Sequence, residues 1–196
     1  MIRTSALFAA ALAFSLAACK TAPEAAPQAA AGAKDAAGLS PADFYPLALG
    51  NSWTYELVGQ KHEETIQIVG RDGPWFLDDH KGRLRADSEG VRDKDRYLLH
   101  APLKAGAKWS AVESLVVQRF EVTAMDASAV TRAGTFLHCV TVRNEQPLDK
   151  GQGRFVTEWT YAPQVGLVQL KQQTIALSGK AVLQTSLELV AYDAKH

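Results

Sequence analysis

The sequence predicts an all-β or mainly β chain: a single strongly curved antiparallel sheet or partly open barrel, preceded by a signal peptide and a disordered tether. Three observations carry this. No long stretch beyond residue 43 shows the 3.6-residue period of an amphipathic helix. Short alternating segments recur every ~8–12 residues between glycine-bearing turns, the spacing of antiparallel sandwiches and barrels. The block Pro-Leu-x-x-Gly-x-x-Trp occurs twice, as Pro46 to Trp53 and as Pro102 to Trp109. A kinked approach, a glycine turn and a large aromatic at a strand end recur in it, and Trp159-Thr160-Tyr161 echoes Trp53-Thr54-Tyr55.

Taken in order, Ser40 followed by Pro41 suits a short helical turn over Pro41 to Phe44. Ser52 to Val58 alternates Trp53, Tyr55 and Leu57 against Ser52, Thr54 and Glu56, the pattern of a half-buried strand. Glu63 to Val69 alternates Ile66 and Ile68 against polar residues, and Arg71-Asp72-Gly73-Pro74 turns the chain. Short strands follow at Trp75 to His80, Arg83 to Asp87 and Val91 to Leu99. Val112 to Ala124 reads as one longer strand, Asp126 to Ser128 as a turn and Thr135 to Asn144 as a central strand covered on both faces. Arg154 to Tyr161, Leu167 to Leu177 and Ala181 to Tyr192 complete the sheet.

The first 18 residues have a different character. Arg3 gives a positive start, Ala6 to Ala17 is an apolar run, and small residues precede Cys19. The run is shorter than the ~20 residues a membrane-spanning helix needs, and it fits an export signal. Leu16-Ala17-Ala18-Cys19 resembles the lipobox of bacterial lipoproteins. The resemblance implies cleavage before Cys19 and lipidation of its thiol and new amino group. It also implies a cell-envelope location on a membrane, with Lys20 favouring the outer over the inner one. Residues 19–43 then form a lipidated cysteine and an Ala/Pro-rich linker without the spaced large apolar residues that bury a face. Extended, such a linker reaches ~70–80 Å. Residues 44–196 are the β domain.

Composition narrows function by exclusion. Twenty-one basic residues balance 21 acidic ones, with no basic run, so nothing points to nucleic acid. Of two cysteines, Cys19 is assigned to lipid, and Cys139 sits in an apolar strand pattern that suits a buried thiol.

The folded part resembles a group of uncharacterised exported bacterial lipoproteins. The matching blocks are Phe44-Tyr45-Pro46-Leu47 through Gly50 to Tyr55, Gly106-Ala107-Lys108-Trp109, Ala133-Gly134-Thr135-Phe136 with Cys139, and Tyr161-Ala162-Pro163 through Val165-Gly166-Leu167-Val168. Gln164 stands where that group has glycine. The group lends no catalytic residue. A more distant likeness is to half-barrel carriers of lipoprotein sorting, at the level of fold alone.

Candidate chemistry is sparse. His62, His80, His100, His138 and His196 form no metal-ligand spacing, and Asp78-Asp79-His80 reads as a polar strand end. Nucleophile elbows, Ser-x-x-Lys and phosphate-binding loops are missing from the sequence, and no cofactor signature stands in it. Trp53, Tyr55, Trp109, Trp159 and Tyr161 fit either a sheet core or an apolar groove. The reading is therefore a non-enzymatic, lipid-anchored binding or assembly module, whose partners are the membrane through its N-terminal lipid and an envelope protein or apolar ligand. The alternatives are a carrier holding an acyl chain in a concave sheet, and a hydrolase with a non-contiguous site.

Overall fold

Alternation in the Trp53 segment becomes the first strand, β1 (Ser52–Leu57), which buries Trp53 and Tyr55 and leaves the residues between them partly exposed. The computed structural model describes residues 38–60, 62–113 and 115–195. The signal segment, Cys19 and the linker as far as residue 37 lie outside the described residues. Eleven further strands follow among the described residues: β2 (Glu63–Asp72), β3 (Trp75–Asp78), β4 (Arg83–Asp87), β5 (Gly90–Arg92), β6 (Tyr97–His100), β7 (Lys108–Glu113), β8 (Val116–Thr131), β9 (Gly134–Pro147), β10 (Gly153–Ala162), β11 (Gly166–Ala176) and β12 (Ala181–Asp193).

All are antiparallel to their neighbours in one sheet, ordered β6-β5-β4-β3-β2-β1-β12-β11-β10-β9-β8-β7. This is a meander whose first and last strands pair, Ser52 against Asp193 and Leu57 against Leu187. The sheet is nearly closed into a barrel, and β6 and β7 are its two edges. Curvature brings β8 across the interior to β11 and β12. Six register shifts along the β1/β12, β8/β9, β10/β11 and β11/β12 ladders supply bends of the kind a closing sheet requires.

Two apolar clusters fill the interior. One gathers Trp53, Tyr55, Ile68, Phe136, Cys139 and Val168. The other gathers Phe44, Val91, Leu99, Phe120, Val140 and Tyr161. Tyr45 and Leu47 pack against both, so the chain before β1 is an internal plug. The plug begins with the expected helical turn, a 3-10 turn over Pro41–Phe44. Ser40 caps it, its backbone N–H and its Oγ each donating to Asp43 Oδ2 at 2.7 Å.

The repeated block makes the same local structure twice. Gly50 takes φ +86° and Gly106 φ +81°, a conformation that glycine adopts without steric cost. Gly50 N–H donates to Ile68 O (2.9 Å), and Ile68 N–H returns to Asn51 O (2.9 Å). Gly106 N–H donates to Val122 O (2.7 Å), and Val122 N–H returns to Ala107 O (2.9 Å). Each tryptophan then faces an apolar residue in the next strand, Trp53 opposite Ile66 and Trp109 opposite Phe120. Only the first copy carries the buried Asn51. Its Nδ2 donates to Pro46 O (3.0 Å) and Lys195 O (3.2 Å), and its Oδ1 accepts from Lys195 N–H (2.9 Å). That amide ties the C-terminus to the entry of β1.

Four details differ from the sequence reading. The segment Val91 to Leu99, expected as one strand, is the β5–β6 hairpin, because residues 93–96 turn the chain. The strand over Thr135 to Asn144, expected to be covered on both faces, leaves Leu137 54% exposed on its outer face. The single strand expected over Val112 to Ala124 is a hairpin, with β7 ending at Glu113 and β8 beginning at Val116. The expected turn at Asp126 to Ser128 lies inside β8, where register shifts absorb the extra residues as bulges. In β9, Cys139 and Val140 are both fully buried although they are neighbours, which strict alternation forbids on a half-exposed strand. The break falls at His138, whose φ is +56°.

Gln164 also takes the left-handed conformation, φ +60°, where the resembling group has glycine. Its N–H donates to Asp43 O at 2.6 Å, a bond that glycine would keep. Gln164→Gly is expected to raise stability by up to about 1 kcal/mol in thermal unfolding, through relief of the left-handed penalty. A loss would mean that the Gln164 Nε2 bond to Asp43 Oδ1 (3.4 Å) outweighs the strain.

Candidate functional site

The open edge of the barrel holds the most developed cluster of recognition chemistry. β6 and β7 share no ladder, and the gap is bridged by a side chain: Trp109 Nε1–H donates to Tyr97 O at 3.0 Å. A chain of rings runs on from there. Tyr97 meets His100 edge-on at 4.8 Å, and His100 stacks on Trp109 at 6.0 Å. Trp109 stacks on Phe120 at 5.6 Å, and Phe120 meets Trp159 at 6.0 Å.

Arg96 completes the cluster. Its guanidinium carbon lies 5.3 Å from the Phe120 ring centre and 5.2 Å from that of Trp159, within the range of a cation–π contact. The turn before β6 aims it. Asp93 Oδ1 accepts the backbone N–H groups of Asp95 (2.8 Å) and Arg96 (2.7 Å), and Asp93 Oδ2 lies 3.7 Å from Arg96 Nε. Arg96 Nη1–H donates to Gln118 Oε1 at 3.4 Å. A planar cation against two aromatic faces, with an amide and a carboxylate beside it, is equipped to hold a ligand that offers both a flat or apolar surface and hydrogen-bond acceptors.

The five aromatics singled out from sequence divide between this seam and the core. Trp109 and Trp159 are partly buried at the seam. Trp53, Tyr55 and Tyr161 are buried, and the first two hold backbone across the barrel. Trp53 Nε1–H donates to Val165 O (2.6 Å) and Tyr55 O–H to Leu167 O (3.0 Å). Desolvation pushes the phenols of Tyr45, Tyr55 and Tyr161 well above their ordinary value. Sequence reasoning missed Arg96, Gln118, His100 and Phe120. The signal available was Asp93-Lys94-Asp95-Arg96, which reads as a solvated turn until the Asp93 caps show that it orients the arginine.

The titratable groups elsewhere lie apart. His80 bridges Glu64 (2.9 Å) and Asp79 (2.8 Å) beside the β3–β4 turn, and its hydrogen bond to Asp79 raises its pKa. Asp78 Oδ1 shapes that turn by accepting from His80 N–H (2.9 Å) and Gly82 N–H (2.6 Å). His138 pairs with Asp126 at 2.6 Å on β8 and β9. His100 belongs to the seam. Among the described residues, no three His, Cys, Asp or Glu side chains are grouped to hold a metal ion. Cys139 is free and buried, with its thiol pushed up to about 12 by desolvation. A groove of about 610 Å³ runs over β7, β8 and β9, lined by Lys108, Ser110, Arg119, Glu121 and Arg143 among others. Most of its charge is already paired, Lys108 with Glu121 (3.3 Å) and Arg143 with Glu145 (2.7 Å).

No model of a known protein family matches the chain, and no curated protein matches it. Two solved structures are similar over 76% of this chain and 98% of their own. One is described as a "putative lipoprotein" from Parabacteroides distasonis, 13% identical with a TM-score of 0.40. The other is a "putative exported protein with YmcC-like fold" from Bacteroides fragilis, 12% identical with a TM-score of 0.42. At that level the likeness assigns neither a family nor an activity to this chain.

Proposed function

We propose that the chain is a lipid-anchored protein of the cell envelope that works as a non-enzymatic binding or assembly module. The observation that carries this is the sequence before the sheet: a positive start, an apolar run and Leu16-Ala17-Ala18-Cys19, followed by an Ala/Pro-rich linker. Several acyl chains on one residue anchor firmly, because each buried methylene adds about 0.8 kcal/mol and a single chain is marginal. Lys20 after the cysteine favours the outer membrane.

The seam supports binding as the role of the folded body. Arg96, Trp109 and Trp159 supply surface chemistry for recognition. The interior aromatics Trp53 and Tyr55 are committed to backbone carbonyls, which favours an envelope protein partner over an acyl chain held inside the sheet. The anchor has a direct test. Cys19→Ala is expected to move the protein from the membrane to the soluble fraction and to abolish incorporation of labelled palmitate. Unchanged membrane retention with no label in the parent chain would overturn the lipid anchor.

A further inference from the structure

We propose that the β7–β8 and β11–β12 hairpin tips form a wedge that enters the interfacial region of a phospholipid bilayer. Leu115 is 97% exposed and Leu177 is 82% exposed, the highest values for large apolar residues among the described residues. Val112, Val116 and Val117 flank the first, and Val182 and Leu183 follow the second, all about half exposed or more.

The register places these tips together. Phe120, Asn144, Thr157, Gln172 and Thr185 stand opposite one another on β8 through β12. From that row β8 reaches back four residues to Val116, β11 runs on four to Ala176, and β12 reaches back four to Ala181. At about 3.3 Å per residue the tips stand ~13 Å beyond the row. Beside them β1 stops at Leu57, opposite Leu187, before it reaches the row. The tips therefore project past the neighbouring wall of the barrel.

Their patterning selects the occupant. Val116-Val117 and Val182-Leu183 are consecutive pairs within strands. Consecutive strand residues point to opposite faces, so each tip is apolar on both sides. A flat partner would cover one face only, whereas a lipid interface surrounds an inserted wedge. Scattered exposed apolar residues need no explanation, but a cluster at one end of a fold does. The three adjoining tip segments (112–117, 147–154 and 176–182) carry two acids and three bases, a formal charge of +1. Association is therefore apolar in origin and changes little with salt.

Tether length permits this contact. The Pro41–Phe44 turn sits at the other end of β10, bonded to the β10–β11 connection through Gln164, a ten-residue strand or ~30 Å from the tips. The 20 residues from Cys19 to Gly38 reach ~65 Å when extended. The wedge draws on the lipid-anchor reading for proximity to a membrane and on nothing else.

The test uses the full chain on vesicles of phosphatidylethanolamine and phosphatidylglycerol. An environment-sensitive fluorophore is placed on Leu115→Cys, Leu177→Cys or, at the opposite end, Val130→Cys. Val130 is 70% exposed and is the control. Expected are a blue shift and quenching by shallow-brominated lipids at 115 and 177, neither at 130, and loss of the signal at 115 in Leu177→Asp. Tip probes that report water while the chain sediments with vesicles overturn the wedge and leave the anchor standing. Quenched tip probes in Cys19→Ala support the wedge even if the anchor fails. A blue shift without lipid that grows with protein concentration assigns the tips to a second copy and also overturns the proposal.

Discussion

Trp53→Ala is expected to cost about 4–8 kcal/mol of folding stability, whereas Trp109→Ala, at the equivalent place in the second copy of the repeated block, costs about half as much or less. The larger figure combines the ~3–5 kcal/mol of a large aromatic cavity with the ~1–3 kcal/mol of a buried acceptor left unpaired. Both terms apply at Trp53, which is 1% exposed and donates to Val165 O. The site has little room to relax: a methyl group added at Gly166 would come within 3.2 Å of Trp53 Nε1. Trp109 is only partly buried, and its indole bond to Tyr97 O lies at the open edge, where water replaces it. Urea unfolding of the two variants and of Trp53→Phe separates the terms. The phenylalanine keeps most of the volume and loses only the donor, so it is expected to fall between the parent and the alanine. Equal losses at Trp53 and Trp109 would contradict the division between a core copy and an edge copy.

That division shows how far the sequence could be read. The turn at each Gly50-type position was legible because glycine, a preceding Pro-Leu and a following tryptophan all constrain the same few torsions. The helical turn before β1 was legible through Ser40 and Pro41, but its role as a plug was not, because the packing of Tyr45 and Leu47 against both clusters exists only once the sheet has curled. The β7–β8 tip was not, because Leu115 carries no turn chemistry and takes a left-handed φ of +67° that its side chain does not advertise. The run from Val112 to Ala124 is rich in β-forming residues, so one strand was the simplest reading. The seam was illegible for another reason: it is set by which strands fail to pair. Nothing local distinguishes the edges β6 and β7 from interior strands, and Arg96 meets Phe120 and Trp159 only once the sheet has curled. Cys19 is the reverse case, a residue assigned by its sequence context alone.

The buried phenols and thiol make stability fall steeply in alkali. Tyr55 and Tyr161 are buried with their phenols held well above the ordinary value near 10, chiefly by desolvation, and Cys139 is pushed up to about 12 for the same reason. Their raised values favour the protonated, neutral forms in the folded state. Below about pH 9 both states hold these protons and the groups add no slope. Above it the unfolded chain releases its thiol proton first, and above about pH 10 its phenolic protons, while the folded chain keeps them. The unfolded state then binds fewer protons, so stability declines as pH rises, by about 1.4 kcal/mol per pH unit for each group. At pH 11 the two phenols remove roughly 3 kcal/mol and the thiol roughly 2–3 kcal/mol, with half-buried Tyr45 adding a smaller share. A domain stable by only ~5–15 kcal/mol is brought close to its midpoint by that loss. Unfolding near pH 11 is therefore expected to be cooperative. In a Tyr97→Phe, Tyr192→Phe background, which removes the two phenols nearer the surface, phenolate absorbance is expected to rise together with the loss of sheet signal rather than before it. Cys139→Ala is expected to start from lower stability, because it leaves a small cavity, yet to show no decline between pH 9 and 10. Phenolate appearing in the Tyr97→Phe, Tyr192→Phe background at its ordinary pH, with the sheet intact, would show that Tyr55 and Tyr161 meet water and that the plug built on Tyr45 and Leu47 does not seal the barrel.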